Sequence, residues 1–95
     1  MRIERLVWDG WNREHIRKHA VSVGEVEEVV AGRWTPEDTY KGRQQLVGST
    51  AAGRILSVIL GRVPNQTDAY YVFSARPASS MERRRYARAV GGDRT

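Results

Sequence analysis

Two histidines and a large number of arginines are the residues of this chain best suited to chemistry. His15 and His19 stand four residues apart, and fourteen of the sixteen basic residues are Arg. An imidazole can accept or donate a proton near neutral pH. A guanidinium presents a planar, permanently charged fork that suits a phosphate group. These residue types indicate acid–base chemistry, or binding, at a ligand that carries phosphate.

The positive charge is concentrated in the second half of the chain. Residues 1–48 hold eight basic and eight acidic residues, whereas residues 49–95 hold eight basic and three acidic residues, and the net charge is therefore +5. Such an excess is typical of nucleic-acid-binding proteins. The alternative is a charge that only keeps the domain soluble.

Composition excludes several other kinds of site. The chain has no Cys, which excludes disulfides, thiolate metal sites and a Cys nucleophile. The two His side chains would need a third protein ligand to hold zinc, and no carboxylate stands at a suitable spacing, so we expect no metal and no cofactor. A Gly-rich phosphate loop and a nucleophile elbow are also lacking, which argues against nucleotide hydrolases and esterases.

The 95 residues suit one domain, and we expect it to span residues 1–95 with residues 91–95 frayed. No apolar run is long enough to cross a membrane, and the N-terminal residues lack the apolar segment of an export signal. We therefore expect a cytoplasmic protein with no membrane partner.

Hydrophobic periodicity predicts one strand, two helices, four strands and a final helix, in the order β-α-α-β-β-β-β-α. This order is typical of an α+β fold with a mostly antiparallel sheet packed by helices. The predicted strands are 2–8, 35–40, 44–50, 54–63 and 69–76. The predicted helices are 11–19, 22–31 and 79–90.

Local signals support the helices. Asn12 is a candidate cap for the first helix. Ser22 with Glu25, and Ser79 with Glu82, have the spacing at which two side chains cap each other's backbone N–H groups. If capping is its main role, we expect Glu82→Ala to cost about 1 kcal/mol or less.

The strands differ in the faces they bury. Pro36 indicates an edge strand, and apolar residues on both faces of 54–63 indicate a central one. In the last strand, simple alternation places Tyr71 and Phe73 opposite Val72 and Ser74.

Four blocks of sequence, in order from about residue 5 to 88, resemble the BrnT family, the toxins of type II toxin–antitoxin pairs. The blocks are Val7-Trp8-Asp9; Lys18-His19 with Val21-Ser22 and the helix Glu25–Val30; Gly53-Arg54 before the central strand; and Ser74-Ala75-Arg76 with Glu82-Arg83 and Tyr86. The resemblance implies a RelE-like fold, ribonuclease activity that stops translation, and neutralisation by an antitoxin.

The chain departs from the family pattern at two positions. Ala20 stands where the family usually has Gly, and His15 stands where many members have Asn. A left-handed conformation costs Ala about 1 kcal/mol, so the turn that places His19 is expected to close differently.

Under this resemblance, the predicted catalytic residues are His19, Arg54 and Arg76. Metal-free RNA cleavage needs a group that moves protons and cations that hold the phosphate. Hairpin pairing predicts Arg54 and Arg76 at one end of the sheet and Arg62 at the other. For His19 the alternative is a role that only stabilises a helix end. For Arg54 and Arg76 the alternatives are two solvated strand ends, or an Arg76 that bridges Asp9 or Glu82.

A second group of residues is predicted to bind RNA. It comprises Lys18, Arg62, Ser74, Arg83, Arg84 and Tyr86. Ser74 is predicted to share the face of Arg76 and to complete a phosphate clamp with Arg54. For Tyr86 the alternative is packing in the core, and for the arginines of the last helix it is a solvated face.

The expected partners are an RNA substrate and a BrnA-like, ribbon-helix-helix antitoxin. Operator DNA is expected to be reached only through that antitoxin. Two alternatives share the same charge and fold: a catalytically degenerate toxin that acts as a corepressor with its antitoxin, and a non-catalytic nucleic-acid-binding module.

Overall fold

A computed structural model describes residues 2–37 and 42–91 of the chain. The elements are β1 (Arg5–Val7), α1 (Gly10–Arg17), α2 (Val23–Ala31), β2 (Trp34–Glu37), β3 (Arg43–Ser49), β4 (Ile55–Arg62), β5 (Ala69–Pro77) and α3 (Ser80–Gly91). This is the predicted order, and the α+β class is confirmed. The first strand is shorter than predicted. The strand end predicted at residue 40 lies outside the described residues, and so do residues 92–95 of the segment that was predicted to fray. Gly91, the first residue of that segment, still belongs to α3, so the prediction is wrong there.

The five strands form one sheet in the order β1-β5-β4-β3-β2. β1 pairs with β5 in parallel, and the other three pairings are antiparallel. β4 is the middle strand and β2 is an edge strand, as their sequences predicted. Among residues 2–37 and 42–91, no helix combines the length and apolar character that crossing a bilayer would need.

Helix α1 is capped by Asp9, and the prediction that Asn12 caps it is wrong. The Asp9 carboxylate accepts a hydrogen bond from the Asn12 amide at 2.9 Å, and the Asn12 side chain accepts one from the Asp9 amide at 2.8 Å. Asn12 also donates to the Val7 carbonyl at 2.9 Å and is fully buried. Asn12 therefore has the inner position of a capping box, three residues after the cap.

The other two capping boxes are confirmed. Ser22 and Glu25 exchange hydrogen bonds of 3.1 and 3.0 Å at the start of α2. Ser79 and Glu82 exchange bonds of 3.1 and 2.8 Å at the start of α3. Both helices begin where these local signals placed them.

The turn from α1 to α2 closes in a left-handed conformation although it lacks glycine. Ala20 has φ of +60°. The Ala20 amide donates to the Arg17 carbonyl at 2.9 Å, and the Val21 amide donates to the Ile16 carbonyl at 3.2 Å. These two bonds form a Schellman cap, which normally places Gly at the position of Ala20. The prediction that the turn closes differently is therefore wrong: Ala20 adopts the geometry that is usual for Gly, at a cost of about 1 kcal/mol.

The helices lie on both sides of the sheet. Helices α1 and α2 bury one face over the main core, which consists of Ile16, Val21, Val26, Val29, Leu46, Leu56, Val58, Leu60, Val72 and Ala75. On the opposite face, α3 packs a smaller cluster that contains Val47, Ala78 and Tyr86. Strand β4 contributes apolar residues to both faces, which explains its central place.

A β-bulge changes the faces of β5. Leu60 of β4 pairs with Val72, whereas the preceding Ile59 pairs with Ser74, so Phe73 is an extra residue. The bulge places Ser74 on the side of Tyr71 and Phe73, and the prediction that Ser74 faces the other way is wrong. Simple alternation fails because two residues of the bulged strand oppose one partner residue.

Candidate functional site

A cleft of about 850 Å³ lies on the α3 side of the sheet, at the end away from that helix. Its floor is formed by Arg43, Ile59, Tyr71, Phe73 and Ser74. Its walls include Val7, Asp9, Trp11, His15, Arg62, Val63 and Pro64. Aromatic and apolar surface therefore meets two guanidinium groups, and we call this region the open end of the sheet face.

The floor of the open end depends on a glycine. Arg43 of β3, Gly61 of β4 and Tyr71 of β5 pair side by side across the three strands. A methyl group on Gly61 would overlap the Phe73 ring, so the glycine provides the space in which the ring lies. The Arg43 guanidinium carbon lies 3.9 Å from the Phe73 ring centroid, within the range of a cation–π contact.

Tyr71 connects this floor to α1. Its ring packs edge-to-face on Phe73, with centroids 5.0 Å apart. Its hydroxyl donates to both carboxylate oxygens of Asp9, at 3.0 and 3.1 Å. Burial, and then the hydrogen bond to Asp9, raise the pKa of Tyr71. The Asn12 amide is the main group that lowers the pKa of Asp9, so the carboxylate stays ionised and Tyr71 stays a donor.

A column of aromatic rings runs along α1 from the cleft. Trp11 and His15 stack with centroids 4.7 Å apart, and His15 meets His19 edge-to-face at 5.7 Å. Trp11 is 58% exposed, and His15 lines the cleft. Because His15 lines the cleft and contacts His19, the predicted catalytic residue His19 lies next to the cleft. The sequence prediction missed Trp11 and His15 as site residues, although their four-residue spacing puts all three rings on one helix face.

The other end of the same sheet face, under α3, holds a polar network that we call the covered end. Arg76 donates two parallel hydrogen bonds to Glu82, both at 3.0 Å. The Gln45 side-chain amide donates to Glu82 at 2.8 Å and to the Ser57 hydroxyl at 2.7 Å. The Glu82 side chain is 10% exposed and that of Arg76 is 43% exposed.

This network holds Glu82 in its ionised form. Burial alone would raise the pKa of Glu82. The hydrogen bonds from Arg76, the Ser79 amide and Gln45, together with the Arg76 charge, lower it to about 2. Glu82 therefore has more than the capping role that its sequence position predicted.

Arg54 and Arg76 do not form a phosphate clamp, and that prediction is wrong. Arg76 pairs with Ser57, three residues after Arg54, so the two arginines point to opposite faces of the sheet. Arg54 donates to both carboxylate oxygens of Glu25, at 3.0 and 3.1 Å, and to the Ala20 carbonyl at 2.7 Å. It therefore supports the turn between α1 and α2.

The pairing with Arg54 also affects Glu25. The Ser22 amide is the main group that lowers the pKa of Glu25, and the Arg54 guanidinium lowers it further, against the effect of burial. Glu25 thus combines a helix cap with an ion pair across the core side of the sheet.

The remaining predicted RNA contacts, apart from Tyr86, lie either in the cleft or outside it. Arg62 and Ser74 line the cleft, and Arg62 lies at the opposite end of β4 from Arg54, as the hairpin pairing predicted. Lys18, Arg83 and Arg84 are exposed outside it, and Arg83 donates to the Ala78 carbonyl at 2.9 Å.

Tyr86 belongs to the core, and its prediction as an RNA contact is wrong. It is 9% exposed, packs with Val47 and Ala78, and donates from its hydroxyl to the Arg33 carbonyl at 2.9 Å. A ring packed in this way cannot stack on a base. Within residues 2–37 and 42–91, no three His, Asp or Glu side chains cluster closely enough to hold a metal ion.

No family model and no curated relative matches the chain. Among solved structures, the crystal structure of BrnT, the ribonuclease toxin of Brucella abortus, is similar with a TM-score of 0.62 and 25% sequence identity. The match covers 80% of this chain and 97% of that chain. The chain has a BrnT-like toxin fold. The α+β, RelE-like architecture implied by the four sequence blocks is confirmed, and the BrnT-like fold places the aromatic cleft beside the two imidazoles.

Proposed function

We propose that this chain is the toxin of a type II toxin–antitoxin pair, and that it cleaves RNA at the open end and so inhibits translation. The observation that carries the proposal is a BrnT-like fold whose cleft combines guanidinium groups, exposed aromatic rings and neighbouring imidazoles. Proteins bind single-stranded RNA with positive charge and aromatic stacking surfaces of this kind.

In the proposed reaction, the 2′-hydroxyl oxygen attacks the adjacent phosphorus, and the bond from phosphorus to the 5′-oxygen breaks. One group takes the proton of the 2′-hydroxyl and another gives a proton to the leaving oxygen. His19 is proposed to move one of these protons, with His15 beside it. Arg62 is proposed to offset the charge on the phosphate from the rim of the cleft. No step requires a metal ion.

The two arginines of the failed clamp receive different proposals. Arg76 lies on the face of the cleft and is 43% exposed, so its outer edge remains available to RNA while Glu82 orients it. Arg54 lies on the opposite face, and its contacts to Ala20 and Glu25 make it a positioning residue for the turn that holds His19. Lys18, Arg83 and Arg84 are proposed to attract the RNA backbone.

Purified chain, freed of any antitoxin, should cleave single-stranded RNA in buffer with a chelator. A strand of the same sequence with 2′-O-methyl groups is the control and should stay intact, because its 2′-oxygen carries no proton and cannot attack. Cleavage that disappears with chelator and returns with a divalent ion would contradict the metal-free reaction.

The proposed partner is a ribbon-helix-helix antitoxin that covers the basic surface with an acidic or amphipathic segment, and operator DNA would be bound through that protein. Expression of the chain alone in a prokaryotic cytoplasm should arrest growth, and co-expression with the antitoxin should restore it. The complex should be much tighter than RNA binding, because it also buries apolar surface.

A non-catalytic binding role is the second candidate, and one observation favours it. Both arginines first assigned to the phosphate are paired with carboxylates, Arg54 with Glu25 and Arg76 with Glu82. A corepressor or a simple nucleic-acid-binding module would tolerate this pairing. Harmless overexpression of folded protein, with antitoxin or RNA binding but no cleavage, would support this role.

A further inference from the structure

We propose that Arg43, lying on Phe73, forms a stacking site for one unpaired base of a single-stranded RNA. The choice of RNA as ligand rests on the proposed function above. Three neighbouring strands, β3, β4 and β5, build and hold this pair of side chains.

The ring is fixed from below. Phe73 is the extra residue of the β5 bulge, and its ring occupies the space over Gly61 that any other residue would fill. The glycine in β4 and the bulge in β5 let the edge of the Phe73 ring enter the space where a Cβ of residue 61 would stand. The geometry is thus determined by the backbone of β4 and β5.

The ring is also fixed from the side. Tyr71 packs edge-to-face on Phe73, and its hydroxyl is held by Asp9 at the start of α1. Two packed rings lose little freedom when a ligand binds, so a ligand that stacks here keeps more of its binding energy. The guanidinium of Arg43 lies over this fixed surface at 3.9 Å.

The chemistry of the cleft favours a base over a bare phosphate. Apolar Ile59, Val63 and Pro64 line it together with the rings. A phosphate would lose its hydration against such surface, whereas the flat face of a base gains from it. A guanidinium supported by a ring offers a planar, cationic surface on which any base can stack. Arg62 at the rim supplies charge for the neighbouring phosphate.

The test separates stacking from charge with a strand that cannot be cleaved. Affinity is measured by fluorescence anisotropy for a single-stranded 2′-O-methyl oligonucleotide and for the same strand with abasic residues. Arg43→Lys keeps the charge and removes the planar group. Phe73→Leu removes the ring and keeps an apolar side chain. Arg33→Lys, at an exposed position outside the cleft, is the matched control.

For the strand with bases, we expect Arg43→Lys and Phe73→Leu each to weaken binding about 10-fold, within the roughly 5- to 150-fold that one stacked base contributes. For the abasic strand both variants should bind like the wild type. The dependence of affinity on salt should stay the same for Arg43→Lys, because the number of charges is unchanged. Arg33→Lys should bind both strands as the wild type does.

Several results would overturn the stacking site. An Arg43→Lys variant that binds both strands like wild type, or loses equally on both, would assign Arg43 to the backbone or to no contact. A wild-type chain that does not distinguish the two strands, or that binds neither, would also overturn the stacking site. If Arg43→Lys and Phe73→Leu lose only antitoxin binding, the site contacts the antitoxin and not a base of RNA.

Cleavage of ordinary RNA by the wild type is measured in parallel. Base-dependent binding without cleavage would refute the ribonuclease and leave the stacking site. Cleavage by a chain whose binding does not depend on the bases would support the ribonuclease and refute the stacking site.

Discussion

The two ends of the α3 side of the sheet use arginine in different ways. At the covered end, Arg76 meets a buried carboxylate, Glu82, in two parallel hydrogen bonds. At the open end, Arg43 lies on an aromatic ring, Phe73, held over a glycine. Both arginines stand on the same face, on the two strands that flank β4, so the difference arises from what each side chain meets.

This comparison shows how one surface combines stability with recognition. A carboxylate neutralises the guanidinium and connects β5 to α3, and each polar group of that network has a partner. A ring supports the guanidinium without neutralising it, so its charge remains available to an anionic ligand. We therefore expect substitutions of Glu82 and Gln45 at the covered end to change mainly stability, and those at the open end to change mainly RNA binding and cleavage.

The largest expected effect belongs to the imidazole beside the open end. His19→Ala should lower the rate of RNA cleavage about 10²- to 10⁴-fold, the usual loss for a group that moves a proton. Its melting temperature should stay near that of the wild type, because His19 is exposed. Single-turnover cleavage with matched thermal melts measures both. If His19→Ala cleaves at the full rate, the imidazole is structural, and the proton donor must be sought among Arg, Lys and Tyr side chains.

At the covered end, Glu82→Ala should destabilise the fold by about 2–3 kcal/mol, with the cleft unchanged. The loss exceeds that of a cap alone because Arg76 and Gln45 lose their acceptor, while the partial exposure of Arg76 limits it. Urea unfolding measures it, and Ser22→Ala, a change to another capping box, is the control at about 1 kcal/mol. If Glu82→Ala lowers the free energy of unfolding by no more than Ser22→Ala does, helix capping alone accounts for the contribution of Glu82.

Acid should remove the stability that the ionised Glu82 gives the covered end. The pKa of Glu82 lies at about 2 in the fold against an ordinary 4.5, so its charged form stabilises the native state above pH 4.5, and this stability is lost as the pH falls towards 2. Glu82→Gln should show a flatter decline of unfolding free energy between these two values. If the unfolding free energies of the wild type and of Glu82→Gln fall in parallel as the pH decreases, Glu82 is not the source of this acid-dependent stability.

The smallest expected effect concerns the outer face of α3, which belongs to neither end. Arg84→Ala should weaken RNA binding slightly and lower its salt dependence by about one charge at most, because an exposed guanidinium acts only through the backbone charge of RNA. Anisotropy titrations at several salt concentrations measure this. A large loss of cleavage with unchanged binding would instead place Arg84 in the reaction.

Local signals in the sequence predicted most of the fold, and the site depended on features they do not encode. Capping residues act within four positions, so Ser22 and Ser79 marked α2 and α3 correctly. The bulge at Phe73 leaves no trace in hydrophobic alternation, and it reversed the face assigned to Ser74.

The arginine clamp failed for a related reason. Whether Arg54 and Arg76 share a face depends on the pairing of two strands residue by residue, and a shift of one position exchanges the faces. The alternating pattern correctly made β4 central. The contact between Phe73 and Gly61 joins residues that are twelve positions apart in the chain. It depends on how two strands pair, and the periodicity of a single strand carries no information on that pairing.

The edges of the sheet have a consequence for how molecules of this protein meet one another. Within residues 2–37 and 42–91, β1 has three residues and β2 has four, and β2 contains Pro36, which lacks a backbone N–H. These described segments offer little backbone for a further strand, so growth of the sheet from one copy to the next through Arg5–Val7 or Trp34–Glu37 is disfavoured.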